Sequence, residues 1–274
     1  MNNKLNSRLG VCSWSLQPQT PADLFRDLEA IGLNSIIIAL DPIRENPLWK
    51  NYATESARAG VQNISAMFGT IGEDYTTLDS IRRTGGVVPD EHWNANWRNI
   101  QTNALLARSL GIKLVMFHAG FLPHDETDPA FSKLVERLAR IADFYGENDL
   151  EIAFETGQED ATTLSAFLTE LNRKNVFINF DPANLILYDK GDPIAALKTL
   201  APWLRQTHIK DATKTKLAGT WGEEVVVGTG QVDWKAFYQT LDQVGFEGWC
   251  FIEREAGSQR VADIRTARDY VKNL

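Results

Sequence analysis

Short apolar runs, rich in β-branched and aromatic residues, alternate with longer amphipathic segments along the whole chain. Residues 9–13, 35–40, 61–67, 113–117, 151–155, 176–180, 205–209 and 249–253 read as eight strands. Helical segments begin near Pro21, Pro47, Glu91, Pro129, Ala161, Asp192, Val232 and Gln259, one after each strand. Thr20 before Pro21, Asp128 before Pro129 and Asp192 before Pro193 each set a side-chain oxygen ahead of a proline at the first helical position. There the oxygen caps free N–H groups, and the missing proline N–H costs nothing. Gly32, Gly111 and Gly245 stand where helices end, supplying the left-handed conformation that closes a helix before the next strand.

Repeated βα units imply parallel strands joined by right-handed crossovers. Eight of them predict a closed (β/α)8 barrel, an α/β TIM barrel forming one domain over residues 1–274. An open, doubly wound sheet would place a glycine-rich turn after the first strand; SWSLQPQTP follows instead. Two connections exceed plain turns, residues 68–90 and 212–231. Both follow strands, so both fall on the C-terminal face where barrel active sites form, and long loops there act as lids or binding loops.

Composition narrows the partners. The chain has 274 residues, of which 43% are hydrophobic and 23% charged, with a formal net charge of −8. No basic stripe is present to neutralise phosphates, which excludes a nucleic-acid binder and suits a small-molecule substrate in a local pocket. No apolar run approaches the roughly 20 residues that span a bilayer. The N-terminus has no apolar signal-peptide core, so a cytoplasmic protein is expected. Cys12 and Cys250 both sit in apolar strand stretches and read as reduced, buried thiols. A disulfide between the first and last strands is conceivable, because a closed barrel sets them side by side.

The chemistry lies at the ends of the last four strands. LEIAFET finishes on Glu155, VFINFDPAN on Asp181, RQTHIKD carries His208, and WCFIERE carries Glu253. Carboxylates and an imidazole are costly to bury unless paired or coordinated. One on each of four adjacent strands, at one rim height, makes a ring of oxygens and one nitrogen. That set suits one divalent metal ion: manganese first, with zinc, cobalt or magnesium also accepted. Further rim candidates for substrate contact are His118, which ends strand four, and Lys210, two residues beyond His208 on the same strand face. Asn184, Trp14 at the end of strand one, and Glu255 complete the set; Glu255, two residues past Glu253, is the alternative ligand.

The series FETGQ, NFDPANL, THIKD, GTGQVDW and GFEGWCFIERE resembles the sugar phosphate isomerase/epimerase family. This is the xylose isomerase-like TIM barrel group, which also holds inosose dehydratases, ketose 3-epimerases and endonuclease IV. The resemblance runs from strand one to helix eight. It implies one metal held by Glu155, Asp181, His208 and Glu253, with the two glutamates acting also as acid and base. It also implies a sugar substrate and a homo-oligomer, dimer or tetramer. The epimerases carry a histidine three residues after the strand-six aspartate; Asn184 stands there in this sequence.

A metal that chelates a carbonyl oxygen and an adjacent hydroxyl acidifies the carbon between them by stabilising the enediolate. A metal-dependent isomerase or epimerase of a sugar or keto-sugar, free or phosphorylated, is therefore expected, with Glu155 and Glu253 moving the proton. The same site could run a lyase or dehydratase reaction on an inosose or a 3-keto-glycoside. The endonuclease branch needs more histidines and a basic groove, and a non-catalytic barrel would lack an intact ligand set. The GTG cluster at 228–230 is too short to mark a phosphate loop, although Lys210, Lys214, Lys216 and Arg254 could meet an anion.

Overall fold

Parallel strands close into a barrel, each followed by helical cover. The computed structural model describes residues 7–123, 128–217 and 219–274. Its strands are β1 (Leu9–Cys12), β2 (Ser35–Ala39), β3 (Gln62–Met67), β4 (Leu114–Phe117), β5 (Glu151–Glu155), β6 (Val176–Phe180), β7 (Leu204–Ile209), β8 (Asp211–Thr213), β9 (Glu223–Val225) and β10 (Trp249–Ile252). The barrel order is β1-β10-β7-β6-β5-β4-β3-β2, and β1 pairs with β2 to close it. The helices are α1 (Pro21–Ile31), α2 (Leu40–Glu45), α3 (Tyr52–Arg58), α4 (Leu78–Thr84), α5 (Asp90–Ser109), α6 (Pro129–Glu147), α7 (Ala161–Leu171), α8 (Pro182–Leu187), α9 (Pro193–Leu200), α10 (Trp234–Gln243) and α11 (Arg260–Lys272). The expected TIM barrel is the fold observed. No helix among the described residues is long and apolar enough to cross a membrane.

Strand periodicity of two divides the core. One set of side chains packs between barrel and helices, including Val11, Ile36, Ile38, Val115, Ile152, Ile178, Ile209 and Cys250. The alternate set fills the barrel interior, including Cys12, Ile37, Met116, Ala153 and Phe251. Cys12 and Cys250 therefore lie on opposite faces of the sheet, although their strands are hydrogen-bonded neighbours. Both are free, buried thiols.

The termini of several elements differ from the pattern-based boundaries. Strand one stops at Cys12, and residues Ser13–Leu16 form a 3-10 turn, so Trp14 lies just beyond the strand. The Ser13 hydroxyl accepts the Ala39 N–H at 2.9 Å, which draws the chain off the sheet. The single helix expected near Pro47 is three short pieces: α2, a 3-10 turn at Pro47–Trp49, and α3. Asn46 caps that turn, and Trp49 is buried beneath it. The loop 68–90 contains α4, whose capping box pairs Thr77 with Ser80. The loop 212–231 contains the antiparallel ribbon of β8 and β9. Helix α8, absent from the pattern, starts directly after Asp181, whose side chain caps it.

Candidate metal centre and active site

Strands β5, β6, β7 and β10 are neighbours in the barrel, so residues at their C-terminal ends converge. His208 Nδ1 stands 3.2 Å from Glu155 Oε1, 3.3 Å from Glu253 Oε2 and 3.5 Å from Asp181 Oδ2. All four donor atoms lie within 4.8 Å of one another, and all four side chains are almost fully buried. Donors around a cation with bonds of about 2.1 Å stand about 3.0–3.4 Å apart, so this spacing fits a divalent ion.

The hydrogen bonding points the same way. Asp181 divides its oxygens: Oδ1 accepts the N–H groups of Ala183 and Asn184, capping α8, while Oδ2 has no hydrogen-bond partner. His208 Nδ1 and Glu155 Oε2 are likewise buried without one. Unsatisfied buried polar atoms are rare and call for an explanation. Such atoms occur on three of the four donor residues, and with Glu253 these form a buried Glu/Asp/His cluster of the kind that holds a divalent metal.

Charges in the cluster are strongly biased. Burial pushes the Asp181 carboxyl above the usual carboxylate range. For Glu253 burial acts in the same sense, but His208 and Lys210 outweigh it and hold the group well below that range. Burial works against a charged His208 imidazole, and the acidic groups Cys12, Glu253 and Glu155 more than offset it, so its pKa lies well above the ordinary value. Lys210 behaves alike: burial opposes its charge, but Glu253 and Glu255 raise it overall.

The other sequence candidates gather round this cluster. Trp14 Nε1 donates to Glu253 Oε1 at 2.7 Å. Lys210 Nζ donates to Glu253 Oε2 at 2.9 Å and to Glu255 Oε2 at 2.7 Å. Asn184 Nδ2 donates to Glu155 Oε1 at 3.1 Å, and its Oδ1 accepts from Lys210 at 3.3 Å. His118 Nε2 lies 3.4 Å from Glu155 Oε2. Glu255 sits outside the ligand cluster, half-exposed and tied to Lys210. Arg254 turns away to Glu224 and Asp263.

A cavity of about 330 Å³ opens above the cluster, lined by Glu155, Glu253, Glu255, His118, Asn184 and Lys210 together with Met67, Glu73, Tyr75, Leu187, Tyr188, Trp221 and Glu224. A larger hollow of about 490 Å³ is lined by Ile64, Leu114, Gln206 and Trp249, at the opposite end of the strands. None of the cluster residues lines it, and barrel chemistry belongs to the other face. The sequence pattern did not reveal the aromatic wall. Tyr188 and Trp221 pack edge-on with centroids 4.7 Å apart, brought together by α8 and the ribbon. The other missed residue is Asp211. Its carboxylate accepts N–H groups of Ala212, Gly228, Gly230 and Val232 and the indole N–H of Trp234, anchoring the loop that carries Trp221 and Glu224. The GTG cluster was its signal: Gly230 has no room for a Cβ, which would fall 2.1 Å from Asp211 Oδ1.

Comparison with known proteins agrees with this fold. An inosose dehydratase of Geobacillus thermodenitrificans is 25% identical over 146 residues, 47% of this chain and 48% of that one. A ketose 3-epimerase of Arthrobacter globiformis is 24% identical over 144 residues, 50% of this chain and 46% of that one. The chain thus spans about half the length of the curated relatives it matches. Among solved structures, a xylose isomerase domain protein from Planctomyces limnophilus superimposes with a TM-score of 0.85 at 30% identity, covering 90% of each chain. The sequence pattern described as xylose isomerase-like TIM barrel matches residues 25–274, and this chain belongs to that family.

Proposed function

We propose that this protein is a divalent-metal-dependent isomerase or epimerase of an unphosphorylated keto sugar, with Glu155 and Glu253 as acid and base. The observation that carries the reading is the placing of the two glutamates. They come from the outer strands, β5 and β10, of the four that bear ligands, so they flank His208 from either side and both face the cavity. Glu155, Asp181, His208 and Glu253 would hold the metal, manganese first by donor type. When bound, that ion supplies Lewis acidity to a carbonyl oxygen and a neighbouring hydroxyl.

The chain's own groups then divide the proton work. One glutamate takes the proton from the carbon beside the carbonyl, and the other returns a proton from the opposite side. Trp14 and Lys210 fix both oxygens of Glu253, and Asn184 fixes Glu155, so each carboxylate keeps its direction. Tyr188 and Trp221 offer apolar faces to a sugar ring. The cavity carries five glutamates, and Lys210 is its single lysine or arginine among the described residues. Near β7 and β10, the last two barrel strands, where barrels commonly hold phosphate, the N–H groups of Gly228 and Gly230 are occupied by Asp211. Both features favour a neutral substrate over a phosphate ester.

A dehydratase acting on an inosose is the second reading. Asn184 in place of the epimerase histidine and the likeness to inosose dehydratases favour it. One experiment separates these outcomes: deuterium exchange from solvent into free ketoses, their phosphate esters and keto-cyclitols, with metal content measured alongside. Exchange into a free ketose with retained carbon skeleton supports the isomerase or epimerase. Loss of water from a cyclitol supports the dehydratase. Exchange that survives in both Glu155→Gln and Glu253→Gln, or a protein that takes up no divalent metal, overturns the assignment.

A further inference from the structure

Cys12 lies inside the barrel at the end of β1, fully buried, with Sγ 3.4 Å from His208 Nε2. That is hydrogen-bond range for sulfur. The imidazole is thus held between two environments: Nδ1 faces three carboxylates, and Nε2 faces a thiol. Only one nitrogen can offer a lone pair to a cation while the other keeps its proton, and the partner of the second nitrogen decides which. Histidine ligands ordinarily donate that second N–H to a carboxylate, a carbonyl or water. Here, among the described residues, the partner at Nε2 is the Cys12 sulfur.

We propose that Cys12 is a positioning residue whose sulfur accepts the Nε2–H of His208, turning the Nδ1 lone pair toward Glu155, Asp181 and Glu253. The inference rests on the metal-dependent reading above for its consequence, though not for the contact itself. The fully buried ring has a further neighbour. Trp14 packs against it at a centroid distance of 6.1 Å and a tilt of 59°, which limits rocking but selects no tautomer. Sulfur is a weak acceptor, so the contact directs the ring without competing for the ion.

The test compares Cys12→Ala with Cys12→Ser. Both lose the bulk of the sulfur, but only serine keeps an acceptor. Calorimetric titration with Mn²⁺ is expected to show about tenfold weaker binding in Cys12→Ala and near-wild-type binding in Cys12→Ser. Histidine ¹⁵N spectra of the Mg²⁺-loaded protein are expected to show a proton on Nε2 of His208 and none on Nδ1. Equal losses in the two variants would mean that the sulfur only fills space, and the proposal fails. It fails too if Nε2 rather than Nδ1 carries the metal. If the wild type binds no Mn²⁺ at all, the functional reading falls instead. The Nε2 proton resonance of the metal-free protein then decides Cys12: a shift in Cys12→Ala that Cys12→Ser restores supports the contact, and no change overturns it.

Discussion

The Lys210 ammonium stands 2.9 Å from Oε2 of Glu253, with both side chains almost fully buried. It also reaches Glu255 at 2.7 Å, and so one cation serves two carboxylates at the floor of the cavity. Removing one partner of a buried pair leaves the other charge without compensation, at a cost of about 3 kcal/mol or more. Lys210→Met is therefore expected to lower the melting temperature of the metal-free protein, and added Mn²⁺ should recover part of the loss. The raised Lys210 pKa sets the sign of its pH dependence. Its contribution is complete below the unfolded value of about 10.4 and disappears as pH rises through the higher folded value. Thermal melts in EDTA between neutral and alkaline pH test the ion pair, and melts at neutral pH with Mn²⁺ in place of EDTA test the recovery. A variant as stable as the wild type without metal would show that the pair contributes nothing.

A second acid faces a different environment. Glu159 lies buried near the end of the loop between β5 and α7, with Oε1 accepting the Leu122 N–H at 2.6 Å. Burial raises its pKa to about 7 from 4.5. The folded chain then keeps a proton that the unfolded chain has released, so stability falls as pH rises between about 4.5 and 7. The shift corresponds to something on the order of 3 kcal/mol across that interval. Glu159→Gln should flatten this part of the profile, because glutamine cannot ionise. Urea unfolding at pH 4.5, 6 and 8 measures it, and parallel profiles for variant and wild type would count against the shift.

Gly157 connects the fold to the position of Asn184. Its φ is +133°, and a Cβ there would meet the Asn184 Cβ at 2.2 Å. Gly157→Ala must therefore displace the segment that aims Asn184 Nδ2 at Glu155. Gly191, with φ +114° and open space around it, isolates the backbone cost. Gly191→Ala is expected to cost about 1–2 kcal/mol through strain alone. Gly157→Ala should cost more and also lower kcat. Melting curves and initial rates on the two variants test this; equal stability losses with full turnover in Gly157→Ala would refute it.

How much was legible beforehand follows from the range of each interaction. Glu155, Asp181, His208 and Glu253 stood out because each interrupts an apolar strand at its C-terminal end, a local signal with a fixed meaning in a barrel. Asp128 and Asp192 announced their helices because a cap acts within three residues. Trp221 gave no such sign. Its place in the cavity depends on the β8–β9 ribbon and on α8, whose Tyr188 it meets. Cys12 read as a thiol of no special kind, since its partner His208 is 196 positions away and the barrel must close before they meet. The GTG cluster was visible, but its ligand was not: the anion it cradles is the chain's own Asp211.

That cradle makes the last prediction. Asp211 offers two oxygens to five N–H donors, with Gly228, Gly230 and Trp234 sharing Oδ2. In Asp211→Asn one oxygen becomes an NH₂ group, which cannot accept, so either the Oδ1 or the Oδ2 set of donors loses its partner. A buried donor left unsatisfied costs about 1–3 kcal/mol. The loss falls on the loop and not on the metal cluster, because the Asp211 carboxylate bonds to the loop and to Trp234 and is not one of the four clustered donors. The loop carries Trp221 and Glu224 into the cavity, so substrate binding should suffer first. KM is expected to rise about tenfold, equivalent to about 1.4 kcal/mol, with kcat reduced less. Mn²⁺ affinity should stay unchanged, and limited proteolysis should cut faster within residues 212–232. A fall in kcat and metal affinity with KM unaltered would place Asp211 in the support of His208 instead.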